Sequence, residues 1–410
     1  MTTDSDIDTE TGAAALLADY AAGSSFFFAS PRGSMLARGV DATVPKTSCV
    51  AGRDGLPGRV ADFLHSAREF GRQDPMVVGA VPFDRALPAH LVLPAEVRRA
   101  GRLGDVPEVE AGPAQDYRLR QLPAPQEYER AVERVLKRLR SGELNKVVLA
   151  RALELSTSDE IDAGRMLRNL ARADPGGYTY AVDLPRRGQD GSRDNFGPQP
   201  EFGRTLLGAS PELLVSRDGM QVRANPLAGS RPRSDDPDED RRRADELLYS
   251  DKDLREHAAV VDAVAEALRP LCDDLHVPAR PTVVSTAAMW HLSTEITGEL
   301  ADPRTSSLQL AVAMHPTPAV CGTPAERARQ AIAEAEPFER GYYTGMVGWC
   351  DATGDGEWVV TIRCAEIEDA SLRLYAGAGI VDGSVPADEL AETSAKFRTA
   401  LSAMGWTGAL

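Results

Sequence analysis

An α+β fold is predicted from three features of the sequence. Residues 345–379 carry three β-rich runs, GMVGWCDA, WVVTIRCAEI and LRLYAGAG. Turn signals at Thr353-Gly354-Asp355-Gly356 and at Asp369-Ala370 join them, which is the pattern of an antiparallel meander. Apolar residues recur at helical spacing over residues 124–140, over about 244–271, and after Pro386. Strands and helices do not alternate regularly, so a layered α+β arrangement is favoured over a parallel α/β sheet, and no repeat of fixed period is present.

In chain order, residues 1–12 are acidic and read as a frayed, disordered N-terminus. Residues 93–125 are rich in proline, glycine and charge and read as a loop-dominated passage. After the helix over 124–140 and the turn Ser141-Gly142, NKVVLARALEL reads as one buried strand. Residues 185–203 hold almost no large aliphatic side chains and read as an exposed loop. RTLLGASPELLVSRDGMQVRANPLAG then reads as two strands turned at Asp218-Gly219. A charged stretch, RPRSDDPDEDRRR, leads into one long amphipathic helix over about 244–271, with Val260, Val261, Val264, Leu268 and Leu271 on its apolar face. The final helix has Pro386 in its first turn and Ser384 as its expected cap.

Composition narrows the function. With 410 residues and 42% hydrophobic content the chain can bury a large core. A formal charge of −16 argues against a nucleic-acid partner, which needs a basic footprint. It also means that a pocket for an anionic substrate must supply its own cations. The acidic start lacks the basic region of a signal peptide, and the run Phe26-Phe27-Phe28-Ala29 is too short to span a bilayer, so a cytoplasmic protein without a membrane partner is expected. Five scattered cysteines (Cys49, Cys272, Cys321, Cys350, Cys364) contain no CxxC pair and suit reduced core thiols. HExxH, GxSxG and Walker patterns are absent.

Several side chains stand out against this background. In VPADELAETSAKF, Glu389, Glu392 and Lys396 fall within about 60° of one another on a helix, beside the apolar stripe of Leu390, Phe397 and Leu401. Taken alone, that pattern favours a solvated flank with an i,i+4 ion pair over a ligand site. KDLREHAAVVDAV carries a second i,i+3 acid pair, Asp253 and Glu256. Two such helices together offer oxygen ligands for a hard divalent cation, and Mg2+ fits best because it accepts few carboxylates and keeps water or substrate oxygens. Lys146 opens an apolar strand, where it either snorkels to water or sits in a dry setting that makes its neutral amine a usable base. Glu212 lies among aliphatics, either as a buried proton donor or in an exposed turn after Pro211. Arg363 lies inside WVVTIRCAEI, offering a planar fork to a carboxylate or else pointing to solvent, and AGAG at Ala376 to Gly379 allows a close backbone approach.

Taken in order, KVVLAR, LLGASPELLV, NPLAGSRPR, KDLREHAAVV, HPTPAVCGTP, ERGYYTGMVGW, VTIRCAEI, YAGAGIV and ELAETSAK resemble the chorismate-utilising enzymes, the family of isochorismate, anthranilate, aminodeoxychorismate and salicylate synthases. The resemblance implies large, mainly antiparallel sheets stacked in the core and flanked by helices. It also implies a catalytic region over residues 124–410 forming one structural unit with a loosely matching part over 13–123. Variable positions resemble the isochorismate synthase branch. Lys146 stands where anthranilate synthases carry glutamine, Ala228 where aminodeoxychorismate synthases carry a nucleophilic lysine, and Ala319 where anthranilate and salicylate synthases usually carry threonine. FFFASPRGSMLARGV resembles synthases of catecholate siderophore pathways. Leu390 departs from the aromatic usual between the metal-site acids, and residues 185–203 form an extra segment.

The resemblance further implies Mg2+-dependent conversion of chorismate to isochorismate, with Lys146 as base for the water and Glu212 as acid for the leaving hydroxyl. Glu256 and Glu392, supported by Asp253 and Glu389, are the implied metal residues. Arg363, Lys396 and Tyr375, with Gly229, Ser230, Ala319 and Gly377, are the implied substrate-binding set. A monomer without a glutamine amidotransferase subunit is expected. The alternatives are a salicylate synthase and a non-catalytic chorismate-binding protein.

Overall fold

A strand buried on both faces must alternate its side chains between two apolar neighbours, and Lys146–Thr157 does so in the computed structural model of the chain. Ala150 and Ala152 face a second sheet, while Leu149, Leu153 and Leu155 face helices. The structure describes residues 12–23, 25–46, 55–108, 117–186, 202–286 and 289–406.

Two antiparallel sheets stack on each other. The ten-stranded sheet runs Gly322–Thr323, Lys146–Thr157, Ser371–Ile380, Cys364–Glu368, Phe202–Ser210, Tyr178–Pro185, Ser25–Ser30, Gly33–Arg38 and Glu96–Ala100, with Tyr117–Leu122 paired to Lys146–Thr157. The nine-stranded sheet runs Cys272–His276, Ile296–Leu300, Gln221–Asn225, Leu213–Asp218, Gly356–Val360, Met346–Asp351, Met76–Val81, His90–Leu93 and Ala42–Thr43. Phe26, Phe28, Val182 and Leu206 of the first meet Val78, Val347 and Val359 of the second. Helices Ala163–Ala173 and Pro386–Ala403 cover the outer face of the first sheet, and Leu56–Glu69, Asp251–Leu268 and Ser307–Met314 cover the second. A three-stranded sheet, Leu227–Pro232, Met289–Ser293 and Thr282–Ser285, stands apart.

Several sequence expectations are corrected. RTLLGASPELLV is two strands, Phe202–Ser210 and Leu213–Asp218, in different sheets. Pro211 lacks the N–H a ladder needs, so the chain leaves one sheet there and enters the other. Pro226 likewise ends Gln221–Asn225 and sends Leu227–Pro232 into the small sheet. The meander is two hairpins in two sheets, Met346–Asp351 with Gly356–Val360 and Cys364–Glu368 with Ser371–Ile380. Arg363 therefore sits in the break, at φ +51°, and not within a strand.

The helix expected over 244–271 is two, Pro237–Tyr249 and Asp251–Leu268, because Ser250 takes an extended conformation and its hydroxyl caps the Asp253 amide at 3.3 Å. Residues 93–125 include the strands Glu96–Ala100 and Tyr117–Leu122, whose charges are tolerated because much of each strand stays exposed. Ser384 does not cap the last helix. Val385 holds the cap position, and the Ser384 hydroxyl accepts from the Val381 amide at 3.2 Å, while Pro386 does open the helix. Residues 1–11, Cys49 and most of the expected 185–203 loop lie outside the described residues. The other four cysteines are free and buried. Among the described residues no helix is long and apolar enough to cross a membrane.

Candidate active site

The two places where the chain changes sheets lie side by side. The Val360 amide donates to the Glu212 carbonyl at 3.1 Å, and the Ala209 amide to the Arg363 carbonyl at 3.2 Å. At this junction, between the crossings, the small sheet and two helix faces, opens a cavity of about 260 Å3, and all thirteen residues singled out in the sequence line it.

Lys146 enters at the start of its strand, only 6% exposed, with Nζ 2.7 Å from Glu256 Oε1. Glu212 is not in an exposed turn, since it is 3% exposed. Burial pushes its carboxyl up to about 8, against the opposing pull of the Leu227 amide and of the Lys146 and Arg363 charges. At neutral pH it is mainly a neutral acid.

Helices Asp251–Leu268 and Pro386–Ala403 bring the four other acids in. Asp253 accepts from Arg231 Nη2 at 2.7 Å, and Glu392 from Lys396 Nζ at 2.7 Å. Lys396 also donates to the Gly377 carbonyl at 2.8 Å. Burial raises Glu392, but Lys396, Lys252 and Arg231 outweigh it and hold its carboxyl below the usual range. Glu389 behaves oppositely. Burial, then the neighbouring Glu392, pushes it up despite the Ser384 hydroxyl and the more distant Lys252 and Lys396. Among the described residues no basic side chain forms an ion pair with Glu389.

Gly229 and Ser230 come from the small sheet, where Gly229 has φ +73° and an added Cβ would lie 3.1 Å from Asp253 Cβ. Tyr375 stacks on Tyr343 with centroids 4.8 Å apart. Ala319, half-buried, completes the set. The structure adds Asp174, Arg231, Lys252 and His291 to the lining, none of which the sequence had singled out. His291 had a signal, a lone ionisable residue inside the short β run MWHLS. The others are ordinary surface-type charges whose convergence only the tertiary structure reveals.

Residues 102–405 match the protein family described as chorismate binding enzyme. The chain is 54% identical over 403 residues to the isochorismate synthase DhbC of Bacillus subtilis (strain 168), covering 98% of both. A crystal structure from Bacillus anthracis, of a candidate 2,3-dihydroxybenzoate-specific isochorismate synthase, DhbC, superposes with a TM-score of 0.87 at 50% identity, covering 96% of this chain and 100% of that one. The menaquinone-specific isochorismate synthase MenF of Escherichia coli, at 24% identity and a TM-score of 0.78 over 97% of this chain and 92% of its own, shares the fold. With its stacked antiparallel sheets and flanking helices, the chain belongs to the family of chorismate-binding enzymes.

Proposed function

We propose that this protein is an isochorismate synthase, adding water at C2 of chorismate as the double bonds shift and the C4 hydroxyl leaves. The observation that carries the reading is the pairing, in one cavity, of an amine base with an acid whose proton is retained near neutrality. Lys146, after giving up its ammonium proton to solvent and parting from Glu256, takes a proton from the attacking water, and Glu212 gives its proton to the departing hydroxyl, which leaves as water. Solvent exchange then restores both groups. Ala319, which lines the cavity, supports this branch of the family, since anthranilate and salicylate synthases usually carry threonine at that position.

Among the described residues no three metal-ligating side chains are gathered into a ready-made metal cluster, yet the four acids line one cavity and are of the type a hard divalent cation prefers. All four offer carboxylate oxygens, and Glu389 is a buried carboxyl beside another acid with no ion-pair partner among the described residues. Glu256 and Glu392 would hold Mg2+, with Asp253 and Glu389 acting directly or through bound water. Bound there, Mg2+ supplies positive charge for the ring carboxylate of chorismate. Five lysines and arginines line the cavity against six acids, so the side chains alone leave no surplus charge for a dianion. Arg363 and Lys396, with Tyr375 and the backbone of Gly229 and Gly377, orient the carboxylates: the planar guanidinium can grip one bidentately, and each backbone N–H adds a single donor.

The 54% identity to DhbC and the 50% identity to a structure described as 2,3-dihydroxybenzoate-specific favour supply of a catecholate siderophore pathway. We further propose that the enzyme is a cytosolic monomer. Incubation with chorismate and Mg2+ followed by HPLC tests the reading. Isochorismate as sole product is expected, salicylate would assign the chain to the pyruvate-eliminating branch, and unchanged chorismate would leave only a binding role.

A further inference from the structure

His291 is 7% exposed and takes part in two short contacts. Its Nε2 lies 2.5 Å from Arg363 Nη2, and its Nδ1 lies 2.7 Å from Ser230 Oγ. Arginine has donors only, so the nitrogen facing it must be the unprotonated acceptor. A proton on Nε2 would set two N–H groups against each other, which excludes both the Nε2–H tautomer and the imidazolium. The remaining ring proton is on Nδ1, where the Ser230 oxygen receives it. Burial, with the Arg363 and Lys396 charges beside it, holds the ring neutral against the opposing pull of the Gly229 backbone. Ser230 lines the cavity, and with one lone pair engaged by His291 its own O–H is free to turn toward a ligand.

We propose that His291 is a positioning residue: fixed by Arg363 as the neutral Nδ1–H tautomer, it sets the Ser230 hydroxyl as a hydrogen-bond donor into the cavity, toward a substrate carboxylate. The relay Arg363–His291–Ser230 thereby ties the sheet crossing to the small sheet. The carboxylate rests on the isochorismate synthase reading, whereas the tautomer does not. Arg363 keeps further N–H groups for the cavity, and its φ of +51° holds its backbone in a conformation that few side chains adopt.

The test has two parts. Nitrogen-15 NMR of histidine-labelled wild-type protein, at pH 7.5 without substrate, is expected to show His291 with its proton on Nδ1, and a proton on Nε2 or on both nitrogens overturns the relay. Steady-state kinetics of Ser230→Ala, His291→Gln and the double variant follow. Each single change is expected to raise KM for chorismate roughly tenfold to a hundredfold, the range of a hydrogen bond to a charged group, with a smaller effect on kcat. The double variant is expected to be no worse than Ser230→Ala, because His291 acts through that hydroxyl. Additive losses overturn the positioning role. Should His291→Gln fail to fold, the His291 resonance, identified by its shift in Ser230→Ala, still decides the tautomer. A chain that leaves chorismate unchanged would sink the functional reading and leave the NMR result standing.

Discussion

The sheet crossings and the acid-bearing helices build the same cavity by different means. Asp253, Glu256, Glu389 and Glu392 project from two regular helices whose apolar faces are packed elsewhere, so their positions follow from 3.6-residue periodicity. Glu212 and Arg363 sit where regular pairing fails, one after a proline and one at φ +51°. The helices deliver several like charges to one face. The crossings deliver single ionisable groups into a dry interior, which is why burial drives Glu212 up to about 8 and Arg363 down to about 10. Charge density and pKa tuning are thus supplied by separate parts of the fold.

The largest expected effect falls on the crossing. Glu212→Gln is isosteric and removes the proton, so kcat should fall by about 10²–10⁴-fold, as for loss of a general acid, with chorismate affinity by calorimetry preserved. Turnover near the wild-type rate would remove Glu212 from the acid role. In wild type, kcat should decline as pH rises through about 8, where the acid form is lost. Stability carries its own sign. The folded carboxyl keeps its proton up to about 8 while the unfolded one releases it near 4.5, so stability falls as pH rises across that window and levels off above it. Denaturant titrations of Glu212→Gln should lack that slope.

These residues differ in how far the sequence exposes them. The helix acids are legible because spacing alone puts them on one face, although only the second pair makes a cation site more than a solvated flank. Glu212 and Arg363 are legible as ionisable groups among aliphatics, yet GASPELLV and VVTIRCAE each read as continuous strand, since apolar periodicity does not record which sheet a residue joins. The same blindness turned two hairpins into one meander and merged the helices flanking Ser250. The partners of Lys146 and Lys396 depend on contacts between residues distant in sequence or across a helix turn, at 2.7 Å in each case, and periodicity gives the second but not the first.

On the helix side, Glu392→Gln and Glu256→Gln are expected to weaken Mg2+ binding by more than the roughly 10–100-fold that a supporting residue costs, measured by calorimetry on protein stripped with EDTA. Glu389→Gln should stay within that range if it only supports the shell. EDTA should abolish turnover and added Mg2+ restore it. Metal-independent turnover would leave the four acids as a structural cluster and dissolve the division of labour between helices and crossings.

The smallest effect sharpens the contrast from the helix side. Ser250 both interrupts the path between Pro237–Tyr249 and Asp251–Leu268 and caps the second helix through the Asp253 amide. Ser250→Ala should cost about 1 kcal/mol of stability in urea unfolding, the usual worth of an N-cap hydroxyl. It should leave Mg2+ affinity unchanged, because Val260, Val261, Val264 and Leu268 anchor the helix in the core independently of its cap. Alanine also favours helix at that position, so fusion of the two helices would rotate Asp253 and Glu256 away from the cavity. A Mg2+ affinity loss of tenfold or more in Ser250→Ala would show that the break at Ser250, like the breaks at Pro211 and Arg363, sets the geometry of the site, and that interruption of regular structure, more than helical periodicity, positions its charges.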